Sequence, residues 1–166
     1  MNALVLRLLA VPLLLAGCAK SRDHDHAGGG HAHVAPHGGT LVEVGEHRYN
    51  VELVRDSTAG RLTAYILDAH AENFVRLKAT EIAFVAMPAG QFTPLKLRAV
   101  ANPATGETVG NTSQFEVEAA WLKTAPAFSG IFTVEINGMT FRDVEYAVPG
   151  AAEPATEAGG TNPVQP

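Results

Sequence analysis

Histidine is the residue type whose spacing in this chain indicates chemistry most directly. Five of the seven histidines fall within residues 24–37, namely His24, His26, His31, His33 and His37. The first four form two i, i+2 pairs, and Asp23 and Asp25 interleave with the first pair. In a mobile chain two such imidazoles can bind one ion, and imidazole suits Zn(II), Cu(II) and Ni(II), with Cu(II) bound most tightly. The pattern therefore predicts a divalent transition-metal site that weakens as the pH falls through about 6.5.

The segment that carries most of these histidines, residues 18–36, is predicted to be a flexible tether. It contains few apolar side chains, a run of three glycines and no helical or alternating period. Such a segment cannot bury enough surface to offset its loss of backbone entropy. An ion would have to order it, so we expect modest affinity and poor selectivity between metals. The alternative interpretation is a solvated spacer that is rich in histidine without binding metal.

Two further histidines suggest a second candidate metal site, in the ordered part of the chain. His47 begins one predicted strand and His70 lies in the loop after the next, so a hairpin of these strands would place both toward its open end. With His37 they would form a three-histidine set that leaves a coordination position open. Asp68 and Glu72 flank His70 and could orient its second ring nitrogen. The alternative, which we favour, is that His47 and His70 are ordinary surface residues.

The only cysteine, Cys18, follows an apolar leader. Residues 1–17 have the composition of an export signal peptide, and their apolar run is too short to span a bilayer. The residues Leu-Ala-Gly-Cys at 15–18 resemble the bacterial lipoprotein signal. By that resemblance Cys18 becomes the first mature residue and carries lipid chains, which anchor a protein at about 0.8 kcal/mol per buried methylene. The alternative is an ordinary secretory signal with a free thiol at Cys18.

The residues that follow Cys18 bear on localisation. Ala19 and Lys20 occupy the positions that resemble the sorting pattern for release to the outer membrane, because no Asp stands first. We therefore expect a protein anchored in the outer membrane and facing the periplasm, provided that the organism follows the enterobacterial sorting rule.

Composition and motifs exclude several function classes. The net charge of −5 and the scattered twelve Lys and Arg residues give no electrostatic footprint for nucleic acid. A single cysteine excludes an internal disulfide and a cysteine-rich zinc site. The chain carries no Ser-His-Asp ordering, glycine-rich phosphate loop or His-Glu-x-x-His zinc-protease motif. We therefore predict that the protein is not an enzyme.

Residues 37–148 are predicted to form an all-β domain, followed by a disordered tail at 149–166. Short alternating segments recur at intervals of 8 to 12 residues between turn-forming residues. The predicted strands cover residues 40–44, 47–55, 61–67, 81–87, 92–100, 115–121, 131–136 and 139–148, with a short edge piece at 74–77. The natural packing is a small antiparallel β-sandwich, loosely immunoglobulin-like. A small closed barrel is the alternative.

Three positions in these strands give more specific expectations. Along residues 47–55, Tyr49, Val51 and Leu53 share one face, and the residues between them, including Glu52, share the other. Pro94 predicts an edge or a bulge near the start of its strand, since it cannot donate to a ladder. The Asn-Gly pair at 137–138 predicts a hairpin with a type I′ turn.

The tetrad Pro36-His37-Gly38-Gly39 and the strands that follow it resemble a known domain over residues 36–70. The resemblance is to a small β-domain at the N-terminal end of heavy-metal efflux adaptor proteins, and to stand-alone lipoproteins that share the tetrad. Such adaptors belong to tripartite pumps that export zinc, cobalt, nickel, copper or silver. Because this chain is expected to lack the adaptor's helical hairpin and its lipoyl-like and barrel segments, a role as pump subunit is not implied. The resemblance implies a β-domain in a metal-handling setting, with His37 at the matched position.

Two hypotheses of function follow. The first is a membrane-anchored, periplasm-facing lipoprotein that binds Cu, Zn or Ni, as buffer, sensor or metal donor. The metal binds through its histidine-rich arm, which is the predicted tether of residues 18–36 together with His37. Its partner would be a metal efflux system or another envelope protein. The second is a structural or interaction module of the envelope, in which the β-domain docks a partner and the arm is a passive tether.

Overall fold

The computed structural model describes residues 33–150, which fold into antiparallel strands joined by turns and two short 3₁₀ segments. The strands are β1 (Thr40–Val44), β2 (Tyr49–Asp56), β3 (Arg61–Asp68), β4 (Glu81–Met87), β5 (Thr93–Ala99), β6 (Gln114–Glu118), β7 (Phe128–Ile136) and β8 (Met139–Val148). The 3₁₀ segments are Pro88–Gly90 and Ala120–Lys123. The predicted all-β class is confirmed. Within this part of the chain, no helix has the length and apolarity needed to cross a membrane.

The strands form one sheet in the order β1-β2-β3-β6-β5-β4-β7-β8. Its two edge strands, β1 and β8, approach each other, so the sheet is nearly closed into a barrel. The join between β5 and β6 is short, since only Arg98 with Glu116 and Ala99 with Phe115 are paired there. We call β1-β2-β3-β6 the first half and β5-β4-β7-β8 the second half. The two halves enclose the core as the layers of a sandwich do, while the short join makes the sheet continuous.

Local sequence explains the turns and edges of the second half. Asn137 and Gly138 have φ angles of 51° and 78°, so the β7–β8 hairpin turns as the Asn-Gly pair predicts. Pro94 pairs with Val85 of β4, and β5 bonds to β6 only farther along, at residues 98–99. The proline therefore stands where its missing N–H interrupts no ladder, as expected for an edge position.

Two predicted strand boundaries were wrong by three residues, and the edge piece predicted at 74–77 forms only isolated bridges, Phe74 with Leu67 and Leu77 with Thr112. The strand predicted at 115–121 ends at Glu118, and Trp121 lies in the following 3₁₀ segment, where its ring packs edge-on against Phe128 at 5.0 Å. The strand predicted at 131–136 begins earlier, at Phe128. The first error arises because the aromatic ring of Trp121 packs from a 3₁₀ segment, which apolar alternation does not distinguish from a strand. The second arises because Gly130 has low strand propensity, yet it pairs with Tyr146 of β8.

The core lies inside the barrel. Phe84 of β4 and Phe132 of β7 stack with ring centres 4.7 Å apart, and Tyr146 of β8 packs against both. From the first half, the fully buried side chains of Leu62 and Phe115 complete this interior. Burying such side chains stabilises the fold by about 1.5–3 kcal/mol each relative to leaving them in water.

The outer face of the first half is also buried, and several of its buried residues are polar. Asn50 and Glu52 of β2 are 4% and 0% exposed, and Thr63 of β3 is 6% exposed. These residues alternate with the core-facing ones as predicted, but they do not face solvent. A second layer, made of the residues before β1 and of the long loops, covers them, and this layer holds the candidate site.

Candidate functional site

The carboxylate of Glu52 organises the chain just before β1. One oxygen, Oε1, accepts hydrogen bonds from the backbone N–H groups of His37 at 2.8 Å and Gly39 at 2.9 Å. The other, Oε2, lies 2.8 Å from Nδ1 of the His37 ring. We call residues 33–39 the root segment. A completely buried carboxylate thus fixes both the backbone of the root segment and the orientation of its imidazole.

Each residue of the tetrad at positions 36–39 has a local reason to be there. Pro36 follows Ala35 in a turn closed by the Gly38 N–H donating to the Ala35 carbonyl at 3.1 Å, and proline suits the second position of such a turn. Gly38 has a φ angle of +72°, which favours glycine. A Cβ on Gly39 would lie 2.5 Å from the carbonyl oxygen of Leu53, so only glycine lets the root segment lie flat against β2.

The environment of His37 fixes which ring nitrogen is left for a ligand. When Nδ1 of a neutral His37 ring donates to Oε2 of Glu52, the lone pair of the ring is on Nε2. The ring stacks on Tyr65 of β3 at 3.8 Å and 13°, and its side chain is 36% exposed. Burial, followed by the charges of Glu116 and Glu52, raises the pKa of Tyr65, which stays neutral. A carboxylate on the far nitrogen of a partly exposed imidazole is the usual environment of a metal-ligating histidine.

His70 lies on the loop after β3, which is held firmly. The carboxylate of Asp68 accepts from the backbone N–H groups of His70 at 3.2 Å and Glu72 at 2.9 Å, and from the side-chain amide of Asn73 at 2.7 Å. These bonds, that of Asn73 first, hold the pKa of Asp68 below its usual value. The buried amide of Asn50 donates to the carbonyls at 68 and 69, both at 3.0 Å. Asp68 therefore orders the backbone that presents His70, rather than the imidazole itself.

The structure brings His33 and His70 together. Their ring centres are 5.7 Å apart and their planes are inclined by 63°. His33 stands four residues before His37 in the root segment, so the Glu52 contact that fixes His37 also restricts where His33 can lie. Sequence spacing alone gave no indication of this pair, which is 37 positions apart in the chain.

His47 does not join the other histidines. Its Nδ1 lies 2.9 Å from Oε2 of Glu43, its backbone N–H donates to Oε1 of the same residue, and its side chain is 72% exposed. Across residues 33–150, no group of three or more His, Cys, Asp or Glu side chains is arranged to hold an ion. The predicted set of His37, His47 and His70 is thus not assembled, because His37 lies against Tyr65 while His47 is bonded within the β1–β2 turn.

Several predicted site residues lie outside the described residues. These are the lipidation site Cys18, the arm histidines His24, His26 and His31, and the carboxylates Asp23 and Asp25. Their assignments stay predictions.

A second buried carboxylate, Glu107, was not singled out from the sequence. Its Oε1 accepts from the N–H and hydroxyl of Ser113 at 2.8 and 2.7 Å, and its Oε2 accepts from the Thr105 hydroxyl at 2.8 Å. Burial acts to raise the pKa of Glu107, but these hydrogen bonds and the nearby Arg76 outweigh it, so the pKa is lowered. The residue sits in an irregular loop, where no periodicity distinguishes it from a solvated glutamate.

Glu107 and His37 line the same small pocket. It has a volume of about 230 Å³ and lies on the outer face of β3, between the root segment and the β5–β6 loop. Tyr65 and Phe74 form its aromatic wall. Both carboxylate oxygens of Glu107 already accept hydrogen bonds, from Ser113 and Thr105.

No family model matches the chain, and searches of curated proteins and of solved structures likewise found no match. The resemblance carried by the tetrad at residues 36–39 therefore stays a prediction.

Proposed function

We propose that this protein is a membrane-anchored lipoprotein that faces the periplasm and binds a divalent transition metal through its histidine arm. The ligands come from His24, His26, His31, His33 and His37, with Asp23 and Asp25 as further donors. The observation that carries the proposal is the 2.8 Å contact between Nδ1 of His37 and the buried carboxylate of Glu52.

This contact favours a ligand role because of what it does to the imidazole. A carboxylate on Nδ1 fixes the tautomer, fixes the ring plane and raises the basicity of Nε2, which are the properties that a metal ligand needs. Holding the root segment in place requires only the two backbone N–H groups, and these use the other oxygen of Glu52. Removing the carboxylate of Glu52 from water costs free energy, so a role in packing alone explains its burial poorly.

The histidines of the arm capture the metal ion, and His37 adds one ordered ligand at the point where the arm meets the β-domain. A mobile set of imidazoles can collect an ion and can also release it to another protein, because no closed coordination shell has to be broken. Such exchange suits a buffer or a metal donor to an efflux system or other envelope protein. Copper is the expected preference, since the affinity order for nitrogen ligands places Cu(II) first.

Calorimetric titration of the full chain in detergent with CuCl₂, NiCl₂ and ZnCl₂ tests the proposal. We expect binding at pH 7.5, and weaker binding at pH 5.5 because the imidazoles must be neutral. Replacing His24, His26, His31 and His33 together by Asn should abolish most of it, and His37→Asn should weaken it. His47→Asn is the matched control, as it removes a largely exposed imidazole whose Nδ1 lies 2.9 Å from Glu43.

Absence of binding above buffer by the unaltered chain at pH 7.5 would reject metal binding and leave the interaction module. Unchanged binding by the four-histidine variant would reject the arm as the site. Loss of binding in His47→Asn equal to that in His37→Asn would reject the special role of His37.

A further inference from the structure

We infer that His33 and His70 bind one divalent transition-metal ion between them, so that the metal ties the arm to the β-domain. The inference deepens the proposed function, on which it rests, by assigning a ligand that the folded domain contributes. It turns on the 5.7 Å separation of the two rings, which belong to segments far apart in the chain.

The separation suits a shared ion. An imidazole nitrogen binds zinc at about 2.0–2.1 Å, which places the ring centre about 3 Å from the metal. Two rings on one ion are then about 5 Å apart at a tetrahedral angle and about 6 Å apart when trans, and the observed 5.7 Å lies within that range. The 63° inclination keeps the rings from stacking face to face, which would turn their nitrogens away from a common point.

Both imidazoles are presented by ordered backbone. On one side the loop of His70 is held by three hydrogen bonds to the carboxylate of Asp68 and two from the buried amide of Asn50. On the other side the root segment is held by Glu52 only four residues after His33. An ion that joins two segments already near their bound positions has less conformational entropy to remove than an ion that orders a free arm.

This placement predicts a consequence that a site confined to the arm would lack. An ion that binds only the folded arrangement stabilises the fold by mass action. An ion held only by residues before the root segment binds the folded and unfolded chain equally, and therefore leaves the unfolding midpoint of the β-domain where it was. An ion that also binds His37 raises the midpoint, but that rise does not depend on His70. A metal-dependent rise that His70→Asn abolishes therefore identifies the shared site.

The test uses CuCl₂ and ZnCl₂ as probes on the full chain in detergent, with affinity and urea midpoint measured on the same samples. Each metal should raise the midpoint of the unaltered chain. His70→Asn and His33→Asn should each lose that rise and weaken binding by about tenfold, and the double variant should be little worse than either one, as expected for coupled residues. His47→Asn should behave as the unaltered chain. His70 contributes only its backbone N–H to the Asp68 bonds, so the variant keeps its loop.

Binding without any rise in the urea midpoint would overturn this inference and leave the proposed function in place. A metal-dependent rise in the urea midpoint that persists in His70→Asn would also overturn it. Losses of binding in the double variant that equal the sum of the two single losses would do the same. Absence of binding by the unaltered chain would instead overturn the proposed function, and this inference with it.

Discussion

The two halves of the barrel are built by different rules. In the second half, β4 and β5 bury alternate residues and leave the others in solvent. In the first half, β2 buries four consecutive residues, Asn50 to Leu53, because the root segment and the loops cover its outer face. The first half therefore carries buried polar groups outside the core, where they cost desolvation energy. Among these polar groups, Glu52 holds His37 and the root segment, and Asn50 holds the loop that carries His70.

The largest effect should come from the core of the second half. Phe84→Ala removes a ring that is 2% exposed and stacked on Phe132, so we expect a loss of about 3–5 kcal/mol in the free energy of unfolding. Urea denaturation followed by circular dichroism measures it. Phe92→Ala, which removes a ring that is 77% exposed, is the control and should change little. A loss below that of Glu52→Ala would contradict the assignment of the main core to this interior.

The next effect tests the buried polar layer of the first half. Glu52→Ala leaves the N–H groups of His37 and Gly39 without their acceptor, so we expect a loss of about 3 kcal/mol. The control in the second half is Glu81→Ala, which breaks an exposed pair with Lys96 and should cost less than about 1 kcal/mol. Hydrogen exchange of residues 37–39 should rise in the Glu52 variant. Equal stability of the two variants would remove the distinction between the halves.

Sequence reasoning predicted the second half better than the first. The alternation of β4 and β5, the position of Pro94 and the Asn-Gly turn all act locally, so a single sequence reveals them. Glu52 alternates as an exposed residue would, and its burial depends on a segment that folds back from before β1. That covering layer is a non-local feature, which periodicity does not record.

The candidate site was predictable only by residue type. Histidine clustering identified His33 and His37, but it paired His33 with its neighbours in the arm rather than with His70. That contact depends on the path of the root segment across β2 and on the shape of the loop after β3. No sequence pattern predicted that Glu107 is buried, because its burial follows from three contacts within one irregular loop.

The third prediction concerns how the free energy of unfolding depends on pH. The lowered pKa of Glu107 means that its carboxylate contributes stability above the ordinary value of 4.5, and that this contribution is lost as the pH falls below it. Glu107→Gln cannot accept from Thr105 through its amide nitrogen, so we expect a loss of about 1–2 kcal/mol at pH 7 that shrinks by pH 3. Glu118→Gln, at the exposed end of β6, is the control. Urea titrations at several pH values measure both, and a loss that does not depend on pH would contradict the prediction.

The smallest effect should come from Tyr146, which tests whether the second half uses buried polar groups at all. Its hydroxyl is buried with no hydrogen-bond partner within the described part of the chain, and burial raises the pKa of its phenol. Tyr146→Phe keeps the ring against Phe84 and removes an unpaired donor, so we expect stability unchanged or higher by up to about 1 kcal/mol. Tyr65→Phe is the matched variant, because it makes the same substitution in the outer layer of the first half. If Tyr146→Phe cost as much as Glu52→Ala, the second half would depend on a buried polar group as the first half does, and the contrast between the halves would fail.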